Sequence, residues 1–275
     1  MKSSISLTGS DMDQAWLGVI CACHDYGHNV GPRGLMTSEL LVANTQVSMS
    51  QPTLGVIRRK INYRHLANEA LWILTGSNQL SMISEYAPIY SKFSDDGIVL
   101  QGAYGPPVTE QLRYVVDTLN SDPESRQAVI SIWRPNPRPS KDIPCTLSLQ
   151  FLIRNHKLHC IATMRSSDAW LGLPYDVFCF TMIAASVALR LTMDVELGVL
   201  AVRSGSLHLY HKDSENAREC VRSMAIRQFE PMSLQGLDTP DDLLNDLRAI
   251  LNAYQCKNAH LNSISSYIKE MEIAK

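Results

Sequence analysis

Residues 174–191 constrain this chain more than any other stretch, because only Asp176, Thr181, Ser186 and Arg190 interrupt an otherwise apolar run with helical character. A helix apolar on nearly every side has no face to offer water, so it belongs at the centre of a fold with other elements wrapped around it. No apolar stretch of the chain reaches the length that spans a bilayer. At 275 residues, 45% of them hydrophobic, there is enough chain to build such a wrapping and bury a sizeable core. The net charge of −2 excludes a general field for nucleic acid or anionic membrane, so a phosphate would have to be caught by a few placed arginines.

The elements around this helix fall into two groups. Leu147, Leu149, Phe151 and Ile153 alternate with polar neighbours, as do Leu158, Cys160, Ala162 and Met164, and Asn155-His156-Lys157 between them fits a tight hairpin turn. Val129, Ile130, Ile132 and Trp133 form a short apolar run. Residues 197–203 read as a further strand, ending at the polar Ser204-Gly205-Ser206. Helices are expected at 11–27, at 63–74 with Gly76 as the C-terminal stop, at 108–120 before Asp122-Pro123, and near 240–254 and 260–272. Residues 84–107, rich in Tyr, Ser, Asp, Gly and Pro, read as a long ordered loop beside a site. There is no internal repeat and no linker. Strands and helices are segregated, so the class is α+β with a mixed or mainly antiparallel sheet in one domain over 1–275, its segment from about 215 onward helical.

The seven cysteines are odd in number and scattered, and the first residues are too polar for an export signal, so reduced thiols in a cytoplasmic protein are expected. Cys21-Ala22-Cys23-His24 lacks a second ligand pair, and on a helix its two thiols point apart, so no metal site is expected. Arg58-Arg59-Lys60 reads as a solvated basic run.

Taken singly, a cysteine at the mouth of a strand is a small core residue, and a His-x-Tyr pair is packing. Here such residues occur in an ordered series. Pro144-Cys145 is followed by Arg165-Ser166-Ser167-Asp168, then by Leu171-Gly172-Leu173-Pro174-Tyr175-Asp176, then by Gly205-Ser206-Leu207-His208-Leu209-Tyr210. Upstream stand Asn68-Glu69-Ala70-Leu71-Trp72, Gly102-Ala103-Tyr104-Gly105 and Asp122-Pro123-Glu124-Ser125-Arg126. This series resembles the thymidylate synthase family over roughly residues 30–215.

The resemblance implies a thymidylate synthase-like fold and a homodimer packed sheet to sheet. It implies 5,10-methylenetetrahydrofolate as cofactor and a pyrimidine nucleoside monophosphate as substrate, with no nucleic acid and no membrane as partner. Cys145 would add to C6 of the pyrimidine, as a thiolate favoured by a nearby arginine. Arg165 and Ser166 would hold the 5′-phosphate, with Arg33 closing over it and Arg126 reaching in from the second subunit. His208 and Tyr210 would bind the sugar hydroxyl, and Tyr104 belongs to the active-site turn. Glu69 would organise water and move protons on the base, and Asp168 would help seat nucleotide and folate.

The departures from that family select among its chemistries. Asp176 stands where thymidylate synthases carry Asn to read uracil. A carboxylate accepts from the 4-amino group of cytosine and from N3–H when N3 is protonated during attack, whereas with uracil it would face O4, acceptor against acceptor, so the sequence is similar to the cytidylate hydroxymethyltransferase branch. The tryptophans that synthases place ahead of the Tyr-Gly turn are missing, with Tyr86-Ala87-Pro88-Ile89-Tyr90-Ser91-Lys92-Phe93 in that stretch, and the chain ends Glu270-Met271-Glu272-Ile273-Ala274-Lys275 in place of a small apolar tail. Both changes favour water over hydride at the captured carbon, hence a hydroxymethyl product. Thr146 replaces the usual His, Gln127 the second arginine of a pair, and Ser206 a common Asp beside the sugar site. The expected activity is 5-hydroxymethylation of dCMP or CMP by a one-carbon transferase. The alternatives are methylation of dUMP or dCMP, and a non-catalytic nucleotide- or RNA-binding protein on the same fold.

Overall fold

A computed structural model describes residues 5–252 of the chain. In order, its elements are β1 (Ile5–Thr8), α1 (Met12–Tyr26), β2 (His28–Val30), β3 (Thr37–Ser48), α2 (Tyr63–Leu74), α3 (Leu80–Ser84), α4 (Gly105–Ser121), β4 (Val129–Ser131), β5 (Thr146–Arg154), β6 (Lys157–Asp168), α5 (Leu173–Ala188), β7 (Glu196–Tyr210), α6 (His211–Ser223) and α7 (Pro240–Asn252). The class is α+β, as the sequence led us to expect. The sheet is mixed, in the order β1-β3-β7-β6-β5-β4, with β2 paired to the start of β3. β3 runs antiparallel to β7, β7 parallel to β6, and β6 antiparallel to β5.

The apolar helix is α5, and its burial organises the rest. Phe178, Phe180, Met182 and Ala184 are fully buried, and α2, β6 and β7 pack around it. The hairpin between β5 and β6 turns on Asn155 and His156, with φ of 52° and 58°, so Lys157 belongs to the strand. Two left-handed residues are what a two-residue turn between twisted strands requires. Gly76 takes φ 73° just after α2, and the Ser77 N–H reaches back to the Trp72 carbonyl at 3.1 Å, which closes the helix end as expected.

Several boundaries differ from the sequence reading. The fourth helix begins at Gly105 rather than 108, because prolines 106 and 107 sit in the first turn, where a missing N–H costs nothing. β7 continues through Ser204-Gly205-Ser206 to Tyr210, since both its neighbours pair with it along that length. β6 likewise runs on to Asp168. β1, β2, β3 and α6 had no strong signal. The helix expected near 260–272, Cys256 and the C-terminal Glu270–Lys275 stretch lie outside the described residues. No helix among the described residues is long and apolar enough to cross a membrane.

One face of the sheet positions the site. Side chains two apart on a strand share a face, and along β6 the row Leu158, Cys160, Ala162, Met164 is buried before it continues into the partly open Ser166 and Asp168. On β7 the row Leu200, Val202, Ser204 continues into Ser206, His208 and Tyr210. β3 supplies the matching partners, with Glu39 opposite His208 and Thr37 opposite Tyr210. A row that begins as core ends at partly open positions.

Candidate active site

Cys145 stands immediately before β5, half-buried, and Arg165 of β6 fixes the segment that carries it. The guanidinium donates from Nε to the Pro144 carbonyl and from Nη2 to the Ile143 carbonyl, both at 2.9 Å, and Nη2 lies 3.7 Å from Cys145 Sγ. The Arg165 backbone N–H donates to the Cys145 carbonyl at 2.9 Å. Burial pushes the Cys145 thiol above its ordinary value; Arg165 and Arg33 pull it down, while Asp176 and Asp142 oppose them. Arg165 acts on the thiol in the direction expected of a nearby arginine, and desolvation opposes it as the largest influence.

The Tyr104 turn is tied to the same segment. The Gly102 N–H donates to Asp142 Oδ2 at 2.7 Å, and a Cβ at Gly102 would sit 3.0 Å from the Pro144 nitrogen, so the approach requires glycine. The Tyr104 hydroxyl accepts from the Thr146 N–H at 3.3 Å, and its ring stacks on Phe180 of α5 at 6.5 Å. Burial holds this phenol well above its usual range.

Asp176 lies in the first turn of α5. Burial, reinforced by the charges of Glu69 and Asp168, raises its carboxyl well above the usual carboxylate range. A helix N-terminus favours a negative charge only by about 0.3–1 kcal/mol, too little to reverse this. Glu69 faces it from α2. Its Oε1 accepts from the Tyr90 hydroxyl at 2.5 Å, and its Oε2 lies 3.8 Å from Cys179 Sγ and 3.9 Å from His65 Nε2. His65 is one helical turn before Glu69 and stacks on Tyr175 at 4.9 Å.

The Asp168 loop is held from three sides. Asp168 Oδ1 accepts the Trp170 and Leu171 N–H groups at 2.8 and 3.0 Å. Trp16 of α1 donates to the Ala169 carbonyl at 2.7 Å, and buried Arg59 donates to the Trp170 carbonyl at 3.0 and 2.6 Å while lying 4.5 Å from that indole. Arg59 is therefore a structural cation, not the solvated charge the sequence suggested. Exposed Ile89, Phe93 and Leu171, on the loops that carry Tyr90 and Asp168, offer apolar surface of the kind a pterin or aryl ring packs against. With the Oδ2 of Asp168 outside the loop bonds, these residues fit a folate.

Further along β7, the His208 and Tyr210 rings meet edge to face at 5.1 Å, and burial lowers His208 against the opposing pull of Asp168 and Glu39. Ser206 donates to Glu39 Oε1 at 2.5 Å, so a carboxylate stands beside His208, supplied from β3. Ser166 pairs with Ser206 across β6 and β7. Arg33, exposed on the turn before β3 with φ 55°, is near enough to act electrostatically on both Cys145 and His208. Arg126 is exposed on the turn before β4, and its carbonyl accepts from Gln150. Of the residues singled out from sequence, Cys145, Arg165, Tyr104, Asp176 and Glu69 interact with one another by hydrogen bond or charge, Ser166, Asp168, His208 and Tyr210 lie on the adjoining ends of β6 and β7, and Arg126 is exposed before β4. The sequence reading missed Tyr90, His65, Cys179, Glu39 and Asp142; only Tyr90 left a trace, in the aromatic stretch without tryptophan. Among the described residues, no group of three or more His, Cys, Asp or Glu side chains could hold a metal ion.

The comparisons with known proteins agree with this geometry. The family model described as thymidylate synthase matches residues 16–263. A thymidylate synthase of Francisella philomiragia is 27% identical, over 71% of this chain and 79% of its own length. A thymidylate synthase of Francisella tularensis is 28% identical, over 60% and 67%. A deoxyuridylate hydroxymethyltransferase of Bacillus phage SP01 is 29% identical, over 76% of this chain and 59% of that protein. With nine-tenths of its length matched by the family model, the chain belongs to the thymidylate synthase family.

Proposed function

We propose that this one-carbon transferase, whose cofactor is 5,10-methylenetetrahydrofolate, hydroxymethylates C5 of a cytidine monophosphate. The observation that carries the base assignment is Asp176, whose carboxyl is raised well above the usual carboxylate range by burial and by the charges of Glu69 and Asp168. A neutral carboxyl donates its O–H to N3 of cytosine and accepts from the 4-amino group. As Cys145 adds to C6, negative charge spreads to N3, and N3 takes the proton from Asp176. Uracil would accept the same O–H at O4, a far weaker base, so the carboxyl helps cytosine most where the charge develops.

Arg165, Ser166 and Arg33 bind the 5′-phosphate. His208 and Tyr210 hold the sugar. The folate, when bound, supplies the carbon at the oxidation level of formaldehyde; Asp168, Ile89, Phe93 and Leu171 would hold it. Glu69 moves protons at C5 and at the captured carbon. The stretch Tyr86–Phe93 carries no tryptophan to exclude water, and the phage relative is named a hydroxymethyltransferase. That relative's name also favours a second reading, in which the base is uracil and the product is the same.

The assembly we propose is a homodimer. The sheet face opposite α5 leaves Val42 and Val199 exposed and Ile161 and Ala201 partly open, a surface suited to packing on a second sheet. Arg126 would then reach the partner's phosphate. Incubation of the protein and the folate with CMP, dCMP, UMP and dUMP, followed by mass spectrometry, tests base, sugar and product together. A hydroxymethyl cytidylate is the expected product; a methyl product, or no reaction with either cytidylate, would overturn the proposal.

A further inference from the structure

The fate of the captured carbon depends on how a water molecule is deprotonated, and the surroundings of Glu69 bear on that step. Its two carboxylate oxygens have different neighbours. Oε1 is taken by the Tyr90 hydroxyl at 2.5 Å. Oε2 faces His65 Nε2 at 3.9 Å and Cys179 Sγ at 3.8 Å, the first too long for a direct hydrogen bond and the second a weak thiol contact. Tyr90 lies on the short 3-10 turn Pro88–Lys92, and its ring is wedged edge-on against His65 at 5.7 Å, Trp72 at 6.4 Å and Phe93 at 6.3 Å. Three aromatic contacts and one charge-assisted hydrogen bond fix the phenol.

We propose that Tyr90 is a positioning residue for hydration: it pins Glu69 through Oε1, leaving Oε2 as the oxygen that accepts a proton from the water attacking the exocyclic methylene. This rests on the hydroxymethyltransferase reading above. In that step the water oxygen bonds the methylene carbon, and the exocyclic π pair moves into the ring. One water proton passes to Glu69 Oε2, and re-formation of the C5–C6 double bond expels the Cys145 thiolate. Tyr90 gives up no proton: burial and the Glu69 charge hold its phenol well above the usual range, so it acts only as a donor. Burial lowers His65 against the opposing charge of Glu69, and at 3.9 Å its Nε2 makes no direct hydrogen bond to Oε2. Its buried Nδ1 has no hydrogen-bond partner, so the ring can reorient without losing a bond.

The test compares hydroxymethyl product formed with tritium released from C5-labelled CMP or dCMP, in the presence of a small thiol that competes with water for the methylene. Tyr90→Phe should lower hydroxymethyl product per tritium released about tenfold, in favour of the thiol adduct, and flatten the pH dependence of that ratio. Tyr90→Trp, which fills the pocket without a phenol, should shift the ratio the same way. If wild type makes hydroxymethyl nucleotide and both variants keep its ratio, the assignment to Tyr90 fails alone. If wild type makes methyl nucleotide, the hydroxymethyltransferase reading fails and takes this inference with it.

Discussion

At the scale of single residues, Asp176 carries the sharpest consequence. The same atom positions accept an amide, so Asp176→Asn changes hydrogen-bonding pattern and little else. An amide cannot hand a proton to N3 of cytosine, but it donates to O4 and accepts from N3–H of uracil. We expect kcat/KM for cytidylates to fall by about 10²-fold or more, the scale of a lost general acid, while turnover of uridylates rises. A steady-state comparison of the four nucleotides measures this. Equal losses on both bases would mean that Asp176 is only part of the packing at the start of α5. The thiol adds a second point at this scale. Burial holds the Cys145 thiol up while the Arg165 and Arg33 guanidiniums pull it down, so its acidity is set by the balance of the two.

At the scale of elements, the site depends on backbone held from a distance. Trp16 of α1 donates across 153 positions of sequence to the Ala169 carbonyl, at a buried site. Trp16→Phe keeps most of the packing and leaves that carbonyl without its donor, at a cost of about 1–3 kcal/mol. Urea unfolding should register that loss, and KM for the folate should rise because the Asp168 loop loses one of its anchors. Unchanged KM with lowered stability would confine Trp16 to the core. Such long-range ties also explain what could be read from sequence. α5 and the β5–β6 hairpin were plain because apolar periodicity and turn residues are local signals. β3 was not, since Thr37, Ser38, Glu39 and Asn44 break its alternation, and its strand character comes from pairing with β7. The nucleophile, arginine and carboxyl positions were readable because their spacing matches a family series. The Tyr90–Glu69 and Ser206–Glu39 bonds were not, as nothing in a chain tells a hydroxyl which carboxylate it will meet 21 or 167 residues away.

At the scale of the whole molecule, stability should depend on pH through Asp13. This carboxyl in the first turn of α1 is buried, accepts from the Gly55 N–H at 2.7 Å, and is raised by desolvation from 3.8 to about 7. A raised carboxyl binds its proton more tightly in the folded state, so its contribution is complete below about pH 4 and is lost as pH rises through about 7. The roughly three-unit difference corresponds to something on the order of 4 kcal/mol. Asp13→Asn, which keeps an acceptor for Gly55, should remove that decline; urea midpoints of both proteins between pH 5 and 8 check it. Parallel curves would count against the assignment. The sheet itself has a different kind of consequence. Because the rows on β6 and β7 pass from buried to partly open positions within one strand, the open positions are the outer rungs of a ladder whose inner rungs are fixed by packing. Ser166 and Tyr210 can be exchanged for other chemistry while Cys160, Met164 and Val202 keep the frame, whereas Asp168 and Ser206 are tied to the Trp170 loop and to Glu39. A scaffold of this type can diversify in the base, sugar or product it handles through substitutions that leave its folding untouched.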